Sequence, residues 1–222
     1  MSSLQPVPGL TGKPIRRSRM EALLAFIHNY QPISPEARAY VVSHMQECQL
    51  KKGELLQEAG NYCQYIYFVS KGILRGYILD SDKEVTTWIT GENQLISSIR
   101  SFLLKQPTQE NIEALEDCRL LALHAEDLQY LYDHFPEFNI VGRKIAEHYY
   151  TFAEDRAFIG RLSSASARYD YFFRYNAHLI NRIPLMFIAS YLGMSNETLS
   201  RIRSGLTKKK KGVEPGAGSG LA

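Results

Sequence analysis

The segment from Ile188 to Ile202 constrains this chain most, because its spacing fits two short helices joined by a tight turn. Apolar residues recur at helical intervals on the inner side of both helices, at Ile188, Ala189, Leu192, Leu199, Ile202 and Leu206. Gly193 can take the left-handed conformation that ends a helix. Ser195 is a natural N-cap for the second helix. The pattern therefore predicts a pair of packed helices near the C-terminus.

The outward face of the second helix is polar, and it consists of Asn196, Glu197, Ser200, Arg201 and Ser204. In a helix-turn-helix, the second helix lies in the major groove with its N-terminal residues on base edges. Arginine pairs with guanine, a carboxylate accepts from cytosine, and serine bonds to several bases. We predict that the base-reading residues are Asn196, Glu197, Ser200 and Arg201. The alternative is an ordinary helical hairpin whose polar face is only solvated.

Charge is distributed unevenly along the chain. Residues 161–222 hold 10 Lys and Arg against 3 Asp and Glu, a net charge of +7. The remaining 16 Lys and Arg against 20 Asp and Glu give residues 1–160 a net charge of −4. A basic part that carries such a helix pair is typical of DNA-binding modules. We predict that Arg203, Lys208 and Lys209 contact phosphates, unless the lysine run is merely solvated.

Cysteine usage and hydropathy exclude several other classes of protein. Cys48, Cys63 and Cys118 are odd in number and far apart, which argues against a disulfide framework and against a zinc or iron–sulfur site. No apolar run has the length of a membrane span, and no secretion signal is visible, so we expect a cytoplasmic protein. No nucleophile–base pair or metal-ligand spacing appears. We therefore expect no catalytic residues, no metal and no cofactor.

The N-terminal two thirds combine helices with short β-like runs. Helices are predicted over about residues 19–29 and 34–47, the second opened by Ser34 and Pro35. Between residues 50 and 123, short β-like runs alternate with turns. Runs of this length and spacing predict a small antiparallel sandwich or roll.

A long helix is predicted over residues 135–162, because apolar residues recur there at three- and four-residue spacing. Apolar side chains on two flanks allow such a helix to pack on its own domain and on a second copy. The expected dimer seam consists of Val141, Ile145, His148, Phe152 and Ile159. The alternative is a helix buried once, against its own domain.

The order of these parts resembles the CRP/FNR superfamily of bacterial transcription regulators, over about residues 20–206. The resemblance rests on Lys52-Gly53-Glu54 with Gly60, on residues 67–74 and on residues 188–203, and residues 115–117 resemble the branch found in Bacteroidetes. It implies an α+β chain with an antiparallel β-roll of cyclic-nucleotide-binding type, a central dimerisation helix and a C-terminal helix-turn-helix. It also implies a homodimer that binds double-stranded DNA at an imperfect palindrome, with RNA polymerase as a partner. Glu197 and Arg201 stand at the family's two principal base-reading positions.

With this resemblance, the chain divides into five predicted parts. They are a flexible arm at 1–18, a β-roll sensor domain with flanking helices at 19–134, a central dimerisation helix at 135–162, a helix-turn-helix domain at 163–206 and a disordered basic tail at 207–222. The family usually has a two-stranded wing after the recognition helix. Residues 207–222 show no strand pattern.

The sensor half departs from the cyclic-nucleotide binders that it resembles. Those proteins carry a Gly-Glu pair for the ribose and an Arg-Ser pair for the phosphate, where this chain has Ser97-Ser98 and Thr108-Gln109. Each lost charged hydrogen bond costs about 1.5–3 kcal/mol. We predict a candidate effector pocket at Ser97, Ser98, Arg100 and Phe152 that does not bind cyclic AMP. The alternatives are a regulator that responds to a cyclic nucleotide through unconventional residues, and an interaction module whose helix-turn-helix serves packing.

Overall fold

The computed structural model describes residues 8–211, and it describes side chains as far as Gly205. Lys208, Lys209 and most of the predicted tail therefore lie outside the described side chains. The chain divides into two compact units, the first ending at Ala157 and the second beginning at Phe158.

The first unit opens with two helices, α1 (Arg17–Tyr30) and α2 (Pro35–His44). Ser34 caps α2, because its Oγ accepts a hydrogen bond from the backbone N–H of Ala37 at 3.3 Å. The prediction that this helix continues to about residue 47 is wrong. The chain instead enters strand β1 (Gln46–Leu50), whose Cys48 side chain is fully buried.

Seven more strands follow within the described residues. They are β2 (Leu55–Gln57), β3 (Tyr65–Lys71), β4 (Leu74–Asp80), β5 (Lys83–Thr90), β6 (Leu95–Ile96), β7 (Asn111–Ala114) and β8 (Cys118–His124). They form two four-stranded sheets with the orders β1-β8-β3-β6 and β2-β7-β4-β5, and every pairing is antiparallel. The predicted antiparallel roll is confirmed. Its inner core takes residues from both sheets, such as Leu56, Val69, Leu74, Ile112 and Leu120.

Two further helices in this unit were not predicted from the sequence. Helix α3 (Ile99–Leu104) follows β6, and α4 (Ala125–His134) follows β8 directly. A second core packs α1, α2 and α4 against β3 and β8, with Leu23, Val41, Phe68, Leu121 and Leu131 at its centre.

The long helix α5 (Pro136–Arg161) matches the predicted range closely, but its inner side belongs to the first unit. Val141 is 2% exposed within the second core, and Ile145 packs against that core. The hydroxyl of Tyr149 accepts a hydrogen bond from the backbone N–H of Leu95 at 2.6 Å. The predicted dimer seam is therefore corrected at Val141 and Ile145, since both side chains already pack within their own domain.

The second unit contains the end of α5 and three helices, α6 (Ala165–Asn176), α7 (Leu185–Tyr191) and α8 (Asn196–Lys211). Ser164 caps α6, because its Oγ accepts from the backbone N–H of Ala167 at 3.0 Å. Helix α8 continues to Lys211, five residues beyond the boundary predicted at residue 206. Between residues 158 and 211 the described backbone contains no strand.

Candidate functional site

The α7–α8 pair has the local structure that its spacing predicts. Ile188, Leu192 and Leu199 are fully or almost fully buried. Gly193 has a φ of 60°, in the left-handed region that ends a helix without steric cost only for glycine. Ser195 is the predicted N-cap, since its Oγ accepts from the backbone N–H of Thr198 at 3.2 Å. These features fix the start of α8 and hence the direction of its polar face.

The four predicted base-reading residues are all exposed on the side of α8 that lies away from the buried Leu199. One of them, Arg201, donates from Nη2 to the Thr198 hydroxyl at 3.3 Å, which holds its side chain along the helix. Hydrogen bonds from its own backbone N–H and from Ser195 lower the pKa of Glu197. Glu197 is thus a carboxylate that accepts hydrogen bonds at neutral pH. The face presents both a fixed donor and a charged acceptor.

The predicted phosphate contact Arg203 is half-buried rather than exposed. It lies near Tyr169 of α6, whose pKa is raised by desolvation, an effect that the charge of Arg203 partly offsets. Its charge is therefore close enough to α6 to act on the Tyr169 hydroxyl. The other two predicted phosphate contacts, Lys208 and Lys209, fall beyond the described side chains.

The serine and threonine side chains of the candidate effector pocket form hydrogen bonds within the protein. Ser98 and Thr108, 3% and 5% exposed, bond to each other through their hydroxyl oxygens at 2.6 Å. Ser97 donates to the backbone carbonyl of Tyr65 at 3.1 Å. By the resemblance described above, Ser97-Ser98 and Thr108-Gln109 replace the pairs that bind ribose and phosphate in cyclic-nucleotide binders. Ser97, Ser98 and Thr108 are uncharged, and each hydroxyl has a hydrogen-bond partner within the protein.

The remaining two predicted pocket residues have different surroundings. Arg100 is exposed on α3. Phe152 of α5 is half-buried, and its ring packs edge-on against His148 and Tyr149 at centroid distances of 4.6 and 5.6 Å. Phe152 therefore belongs to an aromatic cluster on α5 and carries no polar group that a ligand could use.

Trp88 is a residue of this domain that the sequence reasoning missed. It packs against the inner core of the roll, directly across from Gly76 in the β4–β5 pair. A Cβ atom at Gly76 would lie 2.3 Å from the indole, so the glycine is what admits this ring. The indole Nε1 donates to Glu110 Oε2 at 3.0 Å. The sequence shows that the chain has a single tryptophan. The pairing of this residue with Gly76 is evident only from the register of β4 and β5.

Three further features of the described residues concern thiol reactivity, metal binding and membrane-spanning helices. Burial raises the pKa of both Cys48 and Cys118 to about 12, so their thiols stay protonated. Within residues 8–211, no group of three or more His, Cys, Asp or Glu side chains is placed to hold a metal ion. In the same range, no helix has both the length and the apolar character that crossing a membrane requires.

Comparisons with known proteins agree with this architecture. Residues 47–135 match the family model of the cyclic nucleotide-binding domain. A double mutant of CooA from Carboxydothermus hydrogenoformans is 18% identical, with a TM-score of 0.62 over 90% of this chain and 87% of that chain. FixK2 from Bradyrhizobium japonicum is also 18% identical, with a TM-score of 0.60 over 75% of this chain and 86% of its own.

A CRP/FNR-family regulator from Eubacterium rectale is 19% identical, with a TM-score of 0.59 over 82% of this chain and 88% of its own. Comparison with curated protein sequences gave no match. At these identities the structural matches establish the fold. Residues 47–135 match the cyclic nucleotide-binding domain, and the fold of the chain is similar to that of these solved structures, one of them a regulator of the CRP/FNR family.

Proposed function

We propose that this chain is a homodimeric, sequence-specific DNA-binding transcription regulator of the CRP/FNR superfamily. The observation that carries this proposal is the α7–α8 pair, which exposes Asn196, Glu197, Ser200 and Arg201 opposite the buried Leu199. A helix-turn-helix requires this arrangement, with one side buried and a polar side free to enter the major groove. The basic charge of residues 161–222 suits a DNA partner.

Each side chain of this face has a role that follows from its chemistry. Arg201 pairs bidentately with O6 and N7 of a guanine, and Glu197 accepts from the N4 amine of a cytosine. Ser200 and Asn196 complete the reading of the half-site. Arg203 and the lysine run from 208 contact phosphates and contribute the salt-dependent part of the affinity.

The dimer forms through a face of α5 that the first unit leaves uncovered. Ala146, Tyr150, Ala153 and Ala157 are exposed and recur at four-, three- and four-residue intervals. This is the spacing of a coiled-coil seam, and three alanines permit close approach of a second helix. We place the seam on these residues. His148 lies across the helix from this stripe, where its ring contacts Tyr30 of α1, and Ile159 is buried in the second unit.

The sensor domain in this proposal does not bind cyclic AMP. Ser98 and Thr108 bond to each other, and Trp88 lies on the inner side of the roll. Neither hydroxyl replaces the charge of an arginine facing a phosphate. The signal that controls the regulator is therefore something other than this nucleotide, and RNA polymerase is its expected partner in transcription.

A second candidate is a regulator controlled by a cyclic nucleotide, which the family match over residues 47–135 favours. Trp88 is the single tryptophan of the chain and packs on the roll's inner core, so its fluorescence reports on the pocket. We expect no change in Trp88 emission and no heat of binding with millimolar cyclic AMP or cyclic GMP. A saturable change in either signal would support the second candidate.

Selection from a library of random duplex DNA tests the proposed function. The purified full-length protein should enrich an inverted repeat, with half-sites about one helical turn apart, as a two-fold symmetric dimer requires. Enrichment of a single unrepeated motif would contradict the dimer. No enrichment over the input library would contradict sequence-specific binding and favour the interaction module.

A further inference from the structure

Arg168 of α6 connects three separate segments of the second unit through one guanidinium group. Its Nη1 donates to the backbone carbonyl of Leu162 at 3.0 Å, just after the end of α5. Its Nη2 donates to the backbone carbonyl of Gly193 at 3.4 Å, in the turn between α7 and α8. The Nε is buried and has no hydrogen-bond partner among the described residues. The guanidinium therefore donates to two backbone carbonyls, one just after α5 and one in the α7–α8 turn.

Both carbonyls belong to helix ends, where backbone acceptors lack a partner within the helix. Leu162 follows the last turn of α5, with its N–H bonded to the carbonyl of Ile159 at 3.2 Å. Gly193 is the left-handed residue after α7. A positive charge at helix C-termini is favourable, and two donors of one planar fork fix both carbonyls in a single geometry.

The backbone hydrogen bonds of the turn do not make this connection. Gly193 N donates to Ser190 O at 3.1 Å, and Met194 N donates to Ala189 O at 3.0 Å. These bonds shape the turn but tie it to α7. The bonds of Arg168 tie the same turn to α6 and to the end of α5.

We propose that Arg168 is a positioning residue that holds the α7–α8 turn against the end of α5 and thereby sets the direction of the polar face of α8. The inference rests on the proposed function, because that face is the proposed DNA-reading surface. A shift at the end of α5 would reach α8 through this side chain. Arg168 thus acts on DNA reading through Gly193 rather than by touching a base.

Hydrogen exchange of the full-length protein tests this role without DNA. The comparison uses wild type, R168M, R168K and the control R174M, which changes an exposed arginine of the same helix. R168M should raise amide exchange at residues 192–194 by about tenfold or more, the factor that corresponds to one lost charge-assisted hydrogen bond. R168K should give an intermediate increase, since one ammonium cannot reproduce the planar fork. R174M should match wild type.

Two exchange results would overturn the proposal. One is wild-type exchange at residues 192–194 in R168M. The other is a uniform increase from residue 158 to 205, which indicates general loss of stability rather than a loosened turn. If R168M does not fold, as judged by its circular dichroism, R168K carries the same test with a smaller expected increase.

DNA titration separates positioning from direct contact. R168M should weaken binding to the selected duplex about tenfold and leave binding to a scrambled duplex unchanged. Equal weakening on both duplexes would mark Arg168 as a phosphate contact and overturn the positioning role. If wild type prefers no duplex, the proposed function fails, while the exchange experiment still decides whether Arg168 holds the turn.

Discussion

At the scale of single residues, buried polar side chains of the β-roll form hydrogen bonds with one another. Ser98 and Thr108 form a buried hydroxyl pair, and the indole of Trp88 bonds to Glu110. A buried polar group is stable only when it is hydrogen-bonded, so each pair stabilises the roll without a ligand. The roll can therefore serve as a structural scaffold in the absence of any nucleotide.

The contact between Gly76 and Trp88 makes a prediction about stability. G76A should lower the free energy of unfolding by about 1–3 kcal/mol, because the added methyl group overpacks the indole. G160A is the matched control, since nothing lies within 4 Å of a Cβ at this helical position. G160A should be neutral or stabilising by up to about 1 kcal/mol. Urea unfolding at neutral pH measures both, and equal stability of the two variants would contradict the contact.

The ionisation of Glu197 makes a prediction about pH. In the folded protein the pKa of Glu197 lies below its ordinary value of 4.5. The ionised carboxylate therefore stabilises the folded state at higher pH, and this contribution is lost only as the pH falls through the lowered pKa. The preference for cytosine over other bases at its position should therefore stay constant between pH 8 and pH 5.5. Competition binding with single-base variants of the selected duplex measures this. A preference that disappears near pH 6.5 would show that another group reads this base.

At the scale of secondary-structure elements, the sequence predicted those whose pattern is local. Strands β2 to β5, β7 and β8, the extent of α5 and the caps at Ser34 and Ser195 follow from short-range spacing. Strand β1 was missed because its alternation includes Glu47, a charged residue that is buried here. Arg19 forms an ion pair with Glu47 from α1, a long-range compensation that local reasoning does not see.

The same limit applies to the candidate sites. The polar face of α8 was predicted in full, because one helix and its buried side determine it. Two residues of the predicted seam on α5, Val141 and Ile145, pack within their own domain, since both flanks of the helix are apolar and spacing alone does not say which flank meets the domain. Val141 lies in the core of its own domain. Arg168 was missed because its two acceptors are backbone carbonyls, which leave no trace in the sequence.

The exposed stripe of α5 makes a prediction about assembly. A153R should convert the dimer to a monomer, because a buried unpaired charge opposes close packing of two helices. T151R is the control, since Thr151 is also exposed but lies on a different side of the helix. Sedimentation equilibrium at micromolar concentration distinguishes the two. A dimeric A153R would place the interface elsewhere.

At the scale of the whole molecule, the chain combines a fold of cyclic nucleotide-binding type with a helix pair whose second helix exposes a polar face. The roll of residues 47–135 has the cyclic nucleotide-binding architecture but pairs its own polar groups in the candidate pocket. The second unit keeps a polar face open on α8. In the proposed function, Asn196, Glu197, Ser200 and Arg201 read the bases, and Arg168 sets their direction by holding the α7–α8 turn.

The specificity of R201A for DNA decides whether the polar face of α8 reads bases. Fluorescence anisotropy at fixed salt gives the affinity of wild type and R201A for the selected duplex and for a scrambled duplex, with R174A as the matched control. Loss of one bidentate base contact should weaken binding to the selected duplex by about 1–3 kcal/mol and leave scrambled-duplex binding nearly unchanged. R174A should match wild type on both duplexes. Equal weakening of R201A on the two duplexes, or no weakening on either, would contradict the reading of bases by this face of α8.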